Sequence, residues 1–271
     1  MIVLGAETIN GTPVPSWPGV VLSLLLVLAA VAVSLRSGLG MTRELGVAVV
    51  RAGVQLLAVG ALLRLIFEHA GVPGSLGWIA AMVLIAGRVA GRRGRGLPRS
   101  YAIATVATAV GVVMTLGLLV SVGTVSTKPT VLLPIGGMIV SGSMQATSLA
   151  LARLRDEVSD GRRAVEARLA LGMTGAAAFA PHARRALRAA LVAPIDQTKV
   201  VGLISLPGAM TGLIIAGVSP LLAIRYQIVV MYMLLGAWAI GAVVATRLMR
   251  AALFDEAHRL RVLAPATAAG L

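Results

Sequence analysis

The chain has 271 residues, 58% of them hydrophobic and 13% charged, with a mean hydropathy of +0.94. A single soluble core cannot absorb so large an apolar share, so the bilayer must be the solvent for most of the chain. The formal charge of +14 would suit nucleic acid, but aromatic residues are only 3% and the basic side chains cluster between apolar runs, which argues against a nucleic-acid surface, while the absence of cysteine excludes disulfides and thiolate chemistry.

Seven apolar stretches approach the roughly 20 helical residues that cross a hydrocarbon core. They run from Gly19 to Leu35, Leu45 to Phe67, Leu76 to Ala90, Tyr101 to Val122, Val131 to Leu151, Val200 to Gly217 and Gln227 to Leu248. The expected fold is therefore all-α, a polytopic membrane protein forming a single permease-like domain over residues 1–271. No basic region precedes the first span, and Pro13, Pro15, Trp17 and Pro18 lead into it, so an interfacial lead-in is expected rather than a cleaved signal. Arginine and lysine follow spans one, three, five and seven, with nine basic residues between spans five and six. The positive-inside rule then predicts an outside N-terminus and a cytoplasmic C-terminus.

In the second span Arg51 and Gln55 are four residues apart and share one helix face. An arginine at mid-membrane costs about 2.5–3.5 kcal/mol on insertion scales. Arg51 either lines a polar cavity or snorkels to the inner headgroups, which lie within reach. Arg64, near the outer end, reads as an anchor. Span five offers Ser141, Ser143, Met144 and Gln145 as polar or soft ligands, with helix packing as the alternative for the methionine. Pro207 and Gly208 interrupt span six, close to Met210, and a broken helix in a membrane usually faces protein or a water-filled path. The glycines Gly208 and Gly212 would equally serve close helix packing. His69, His182 and His258 lie outside the spans, no carboxylate lies inside one, and no resident cofactor is expected.

The polar stretch 152–197 between spans five and six is expected in the cytoplasm. Arg162 to Leu171 is rich in helix formers, Gly172 and Gly175 interrupt it, and a second helix is expected from Pro181. On that second run Ala183, Leu187, Ala190 and Leu191 form an apolar stripe away from Arg184, Arg185 and Arg188, as suits a helix on the inner membrane surface. The first run would project away from the membrane toward a partner. The chain has no phosphate-binding loop, and its only lysines, Lys128 and Lys199, lie in no such context, so any ATP must be handled by another chain.

Glu166-Ala167-Arg168, followed by Gly172, resembles the EAA motif by which ABC permeases engage their ATPase. The stretch from Val201 to Gly212, with Gly217-Val218-Ser219-Pro220, Arg225 to Val229 and the earlier Arg51 to Leu56, is similar to the FetB-type permease family, which includes plant aluminium-tolerance proteins. The general EAA pattern continues with an isoleucine and a Leu-Pro pair, where this chain has Pro181-His182-Ala183-Arg184-Arg185. The resemblance implies the transmembrane subunit of an ABC transporter exporting iron from the bacterial inner membrane, as a homodimer with a separate ATPase. It assigns coupling to Glu166, Ala167, Arg168 and Gly172. An ATP-independent secondary transporter or channel, or an ABC permease for an anionic or chelated solute, is the alternative.

Overall fold

The computed structural model describes residues 7–9, 12–14, 16–38, 40, 42–204 and 206–261. Pro15 and Ser205 lie outside the described residues. A short antiparallel pair, β1 (Glu7–Ile9) with β2 (Thr12–Val14), precedes eight α-helices. These are α1 (Trp17–Arg36), α2 (Thr42–Leu65), α3 (Gly71–Arg93), α4 (Ser100–Ser121), α5 (Pro129–Ala170), α6 (Gly175–Val200), α7 (Gly208–Ile215) and α8 (Pro220–Ala252). A π-helical turn, Ile66–Ala70, joins α2 to α3.

Among the described residues five helical runs are long and apolar enough to cross a membrane: Trp17–Arg36, Thr42–Arg93, Ser100–Ser121, Pro129–Ala170 and Pro220–Ala252. The second has 52 residues. At helical rise that is about 78 Å, more than twice the thickness of the hydrocarbon core, so it carries two of the expected spans. The expected sixth span departs from a continuous helix. Helix α6 stops at Val200, residues 201–204, 206 and 207 are non-helical with Gly202 at φ +84°, and α7 has only eight residues. Pro207 and Gly208 sit at that break, because proline has no N–H to continue a helix and glycine accepts the turn.

The chain divides into two compact units, Met1–Ala70 with Gly208–Ile224, and Gly71–Pro207 with Arg225–Leu271. In the first, Ser16 caps α1 by accepting the Gly19 amide, Pro18 occupies the opening turn, and α1 packs on α2. No residue of α2 is buried. Arg64 pairs with Glu68 at 2.9 Å across one turn, both side chains exposed.

The second unit is built on α3, α4, α5, α6 and α8, and small residues set how closely they approach. A Cβ on Gly87 would strike the backbone and hydroxyl of Thr105 on α4, and one on Gly91 would lie 2.7 Å from Tyr101 Cα. In α5, a Cβ on Gly142 would stand 3.0 Å from Trp238 Nε1 of α8. Such close backbone approach substitutes for the hydrophobic drive that lipid cannot supply. Ser143 occupies the crossing of three helices: its hydroxyl lies against Gly111 of α4 and Gly241 of α8, and donates to the Thr108 carbonyl at 3.4 Å. The core continues beyond the apolar part of α5 through Leu151, Leu154, Val158 and Val165 to Phe179, Ala183, Ala186 and Ala190 of α6.

Candidate functional site

The polar segment 152–197 folds as a helical hairpin. Helix α5 has 42 residues, about 63 Å at helical rise, and runs without interruption through the apolar span and the first predicted cytoplasmic run. The second helix begins at Gly175 rather than Pro181, because the Thr174 hydroxyl accepts the Ala177 amide and sets the N-cap there. Pro181 and Pro194 are accommodated inside it. Much of its apolar stripe packs on the core that α5 carries: Phe179, His182, Ala183, Ala186 and Ala190 are buried, with Leu187 and Leu191 partly buried against the same core.

Local hydrogen bonding explains the turn. The Gly172 amide donates to Leu169 O at 2.9 Å and the Met173 amide to Arg168 O at 3.2 Å, the two bonds of a Schellman cap. The residue between them must be left-handed, and Gly172 has φ +85°. Arg168 Nη1 donates to Ala178 O at 3.1 Å and ties the end of α5 to the start of α6. Glu166 and Ala167 are exposed, and Glu166 pairs with Arg162 at 2.8 Å, one turn back. Three of the four coupling residues from the sequence thus face solvent at the tip, whereas Arg168 braces it. The tip also presents Leu171, 83% exposed, and Met173, 40% exposed. Sequence reasoning did not single these two out, although Leu171 lies within the quoted motif.

A polar cluster joins the two helices of the hairpin. Arg185 of α6 grips Glu157 of α5 with two donors, Nε to Oε1 at 3.0 Å and Nη2 to Oε2 at 2.7 Å. His182 Nδ1 lies 2.7 Å from Glu157 Oε2, and the imidazole stacks on Phe179 with ring centroids 5.5 Å apart. The Arg185 hydrogen bonds, against the opposing effect of burial and with help from His182, hold the Glu157 carboxyl below its ordinary value. Gly161 has no side chain where the His182 ring packs. Phe254, just past α8, stands edge-on to Phe179 and covers Gly175, whose Cβ would come 2.5 Å from its ring. The pattern Glu157…His182…Arg185 spans 28 residues, and nothing local in the sequence marks it.

The pathway candidates are divided between the two units. Arg51 and Gln55 lie exposed on α2 in the first unit. On α5, Gln145 donates to Ser141 at 3.2 Å on an exposed face, while Met144 packs toward the core and Ser143 is buried in the helix crossing. Pro207 immediately precedes α7, and Gly208 and Met210 lie in its first turn. Among the described residues no group of three His, Asp or Glu is placed to hold a metal ion.

Residues 17–254 match UPF0014, described as an uncharacterised protein family. The chain is 42% identical to "UPF0014 membrane protein STAR2" of Oryza sativa subsp. japonica over 87% of this chain and 82% of that protein. It is 38% identical to "Protein ALUMINUM SENSITIVE 3" of Arabidopsis thaliana, covering 88% of each. It is 33% identical to the protein named "Probable iron export permease protein FetB" of Escherichia coli (strain K12), covering 89% of this chain and 93% of that one. No solved structure matches. The family resemblance read from the Val201–Gly212 region therefore holds, and with its apolar membrane-length helices the chain belongs to the UPF0014 family of membrane proteins.

Proposed function

We propose that this chain is the membrane-spanning permease subunit of an ABC transporter that exports iron or a related metal, with ATP hydrolysed on a separate subunit. The observation that carries the reading is the hairpin tip. An ATPase at the inner face needs a rigid lever, and α5 supplies one continuous helix from the apolar span to the tip. Glu166, Ala167, Leu171 and Met173 stand exposed around the Gly172 turn, an apolar and charged knob of the kind that seats in a partner's groove. The 33% identity to FetB supports the transport class and the cargo.

In this reading the chain crosses the bacterial inner membrane seven times, with the interrupted segment 200–217 as one crossing, the N-terminus outside and the C-terminus in the cytoplasm. Two copies form the membrane portion, and each binds one ATPase. Catalytic chemistry belongs to that partner. A cysteine replacing the exposed Ser159 should react with impermeant reagent only from the cytoplasmic side, and labelling from outside intact cells would overturn the topology. In proteoliposomes holding both subunits, iron efflux should require ATP. Efflux of equal rate without ATP or the ATPase would instead identify a secondary transporter or channel.

A second cargo reading rests on Arg51 and Gln55, one cation and one amide on a common face of α2. Those groups suit an anionic or chelated solute. Arg51→Ala would then abolish efflux of a chelate while Met144→Leu and Met210→Leu remain active, and the reverse pattern would assign the thioethers to a bare metal ion.

A further inference from the structure

Arg184 of α6 and Arg247 and Arg250 of α8, contributed by helices far apart in sequence, line one open groove of about 470 Å³. No carboxylate lines it, and none of the three arginines is ion-paired among the described residues. Gathering three guanidinium groups without a counter-charge is unfavourable unless an anion completes the site. The rest of the lining is apolar, including Leu187 and Val243, except for Thr246, whose buried hydroxyl makes no hydrogen bond. A free inorganic anion has no use for that apolar wall. An amphiphile with an anionic head does.

Depth along α8 points the same way. Arg247 ends the helix's long apolar run and Arg250 lies one turn farther, about 4.5 Å by helical rise. That matches the headgroup layer, roughly 5–7 Å thick beside the hydrocarbon core. We propose that the α6–α8 groove binds the phosphodiester of an anionic phospholipid from the leaflet facing the arginine-rich helix ends, with Arg184, Arg247 and Arg250 as donors to the phosphate and Leu187 and Val243 against the glycerol and upper acyl carbons. Guanidinium groups are suited to the planar, multidentate recognition of phosphate oxygens. The bound lipid would tie the hairpin to the membrane-spanning helix beside it. This inference does not depend on the identity of the cargo or on ATP.

The test uses the full chain in nanodiscs of phosphatidylcholine doped with phosphatidylglycerol, followed by detergent extraction and mass spectrometry of the lipid retained. The wild-type chain should retain phosphatidylglycerol well above its share of the bilayer. The double variant Arg247→Gln, Arg250→Gln should lose about thirtyfold of that enrichment, given roughly 1 kcal/mol for each of the two basic residues at a lipid surface. Arg184→Gln, an exposed position on the other helix, gives a second variant should the double variant fold poorly, and it should lose part of the enrichment. Arg259→Gln, whose side chain pairs with Asp255 outside the groove, should keep all of it. Excess inorganic phosphate should leave the enrichment in place. No enrichment in the wild-type chain, or full enrichment in the groove variants, would overturn the proposal. Displacement by inorganic phosphate would reassign the groove to a free anion. Loss of a co-purifying protein with no change in lipid would reassign it to an acidic partner surface.

Discussion

Helices α2 and α3 follow one another in a single 52-residue run and are both apolar, yet they use glycine in opposite ways. In α2, Gly46, Gly53 and Gly60 recur every seven residues, and a Cβ at any of them would meet nothing within 4 Å. In α3, Gly87 and Gly91 are pressed against Thr105 and Tyr101 of α4. Hydropathy alone therefore says that a segment enters the bilayer but not what it packs against. Small-residue spacing marks a close-contact face, and only the fold reveals whether the chain itself supplies the other side.

The contrast can be broken directly. Gly87→Val should cost about 3 kcal/mol or more, because the added methyls meet the Thr105 backbone, which cannot rotate away. The expected outcome is loss of monodisperse protein in detergent. Gly53→Val should leave the thermal stability of the single chain within about 0.5 kcal/mol of wild type. Chemical crosslinking of the Gly53→Val chain adds a second reading: reduced crosslinking between copies would place α2 in a homodimer contact, and unchanged crosslinking would leave its glycine stripe to lipid.

A smaller effect is expected in the polar α5–α6 hairpin of the second unit. His182→Ala removes a buried ring stacked on Phe179 and one hydrogen bond to Glu157, so it should cost about 2–3 kcal/mol, read as a lower melting temperature and faster proteolysis between α5 and α6. Smaller again is the pH dependence of the same cluster. The Glu157 carboxyl titrates lower in the folded chain than its ordinary value of 4.5, chiefly through Arg185. Its stabilisation is therefore fully present above about pH 4.5 and is lost as the pH falls through the lowered value. Melting temperature against pH should decline in acid for the wild-type chain and decline less steeply for Glu157→Gln.

Much of this architecture is written locally in the chain. The apolar runs give α1, α2 and α4 to within three residues and locate α3, α5 and α8 without their full length, and Pro207-Gly208 announces the break in the expected sixth span. Gly172 is also legible, since a glycine after a run of helix formers is the ordinary signature of a left-handed cap. What escaped is long-range. The start of α6 moved from Pro181 to Gly175 because the Thr174 cap outweighs the preference of proline for a first turn. The amphipathic stripe of α6 was visible as a stripe, but an apolar face fits a neighbouring helix as well as a bilayer, and α5 proved long enough to cover much of it. Neither the grip of Arg185 on Glu157 nor the gathering of Arg184 with Arg247 and Arg250 can be read from spacing, because each joins residues from separate helices.

The central claim is that the tip of the α5–α6 hairpin engages an ATPase, and Leu171→Asp tests it most directly. Leu171 is 83% exposed, so its replacement should leave the fold and melting temperature unchanged. The measurement is ATP turnover by the co-reconstituted ATPase with and without the permease variant, alongside iron efflux from the same vesicles. Stimulation of turnover and efflux should fall together to the level seen without the permease. Full stimulation and full efflux with Leu171→Asp, and again with Gly172→Leu, would contradict it.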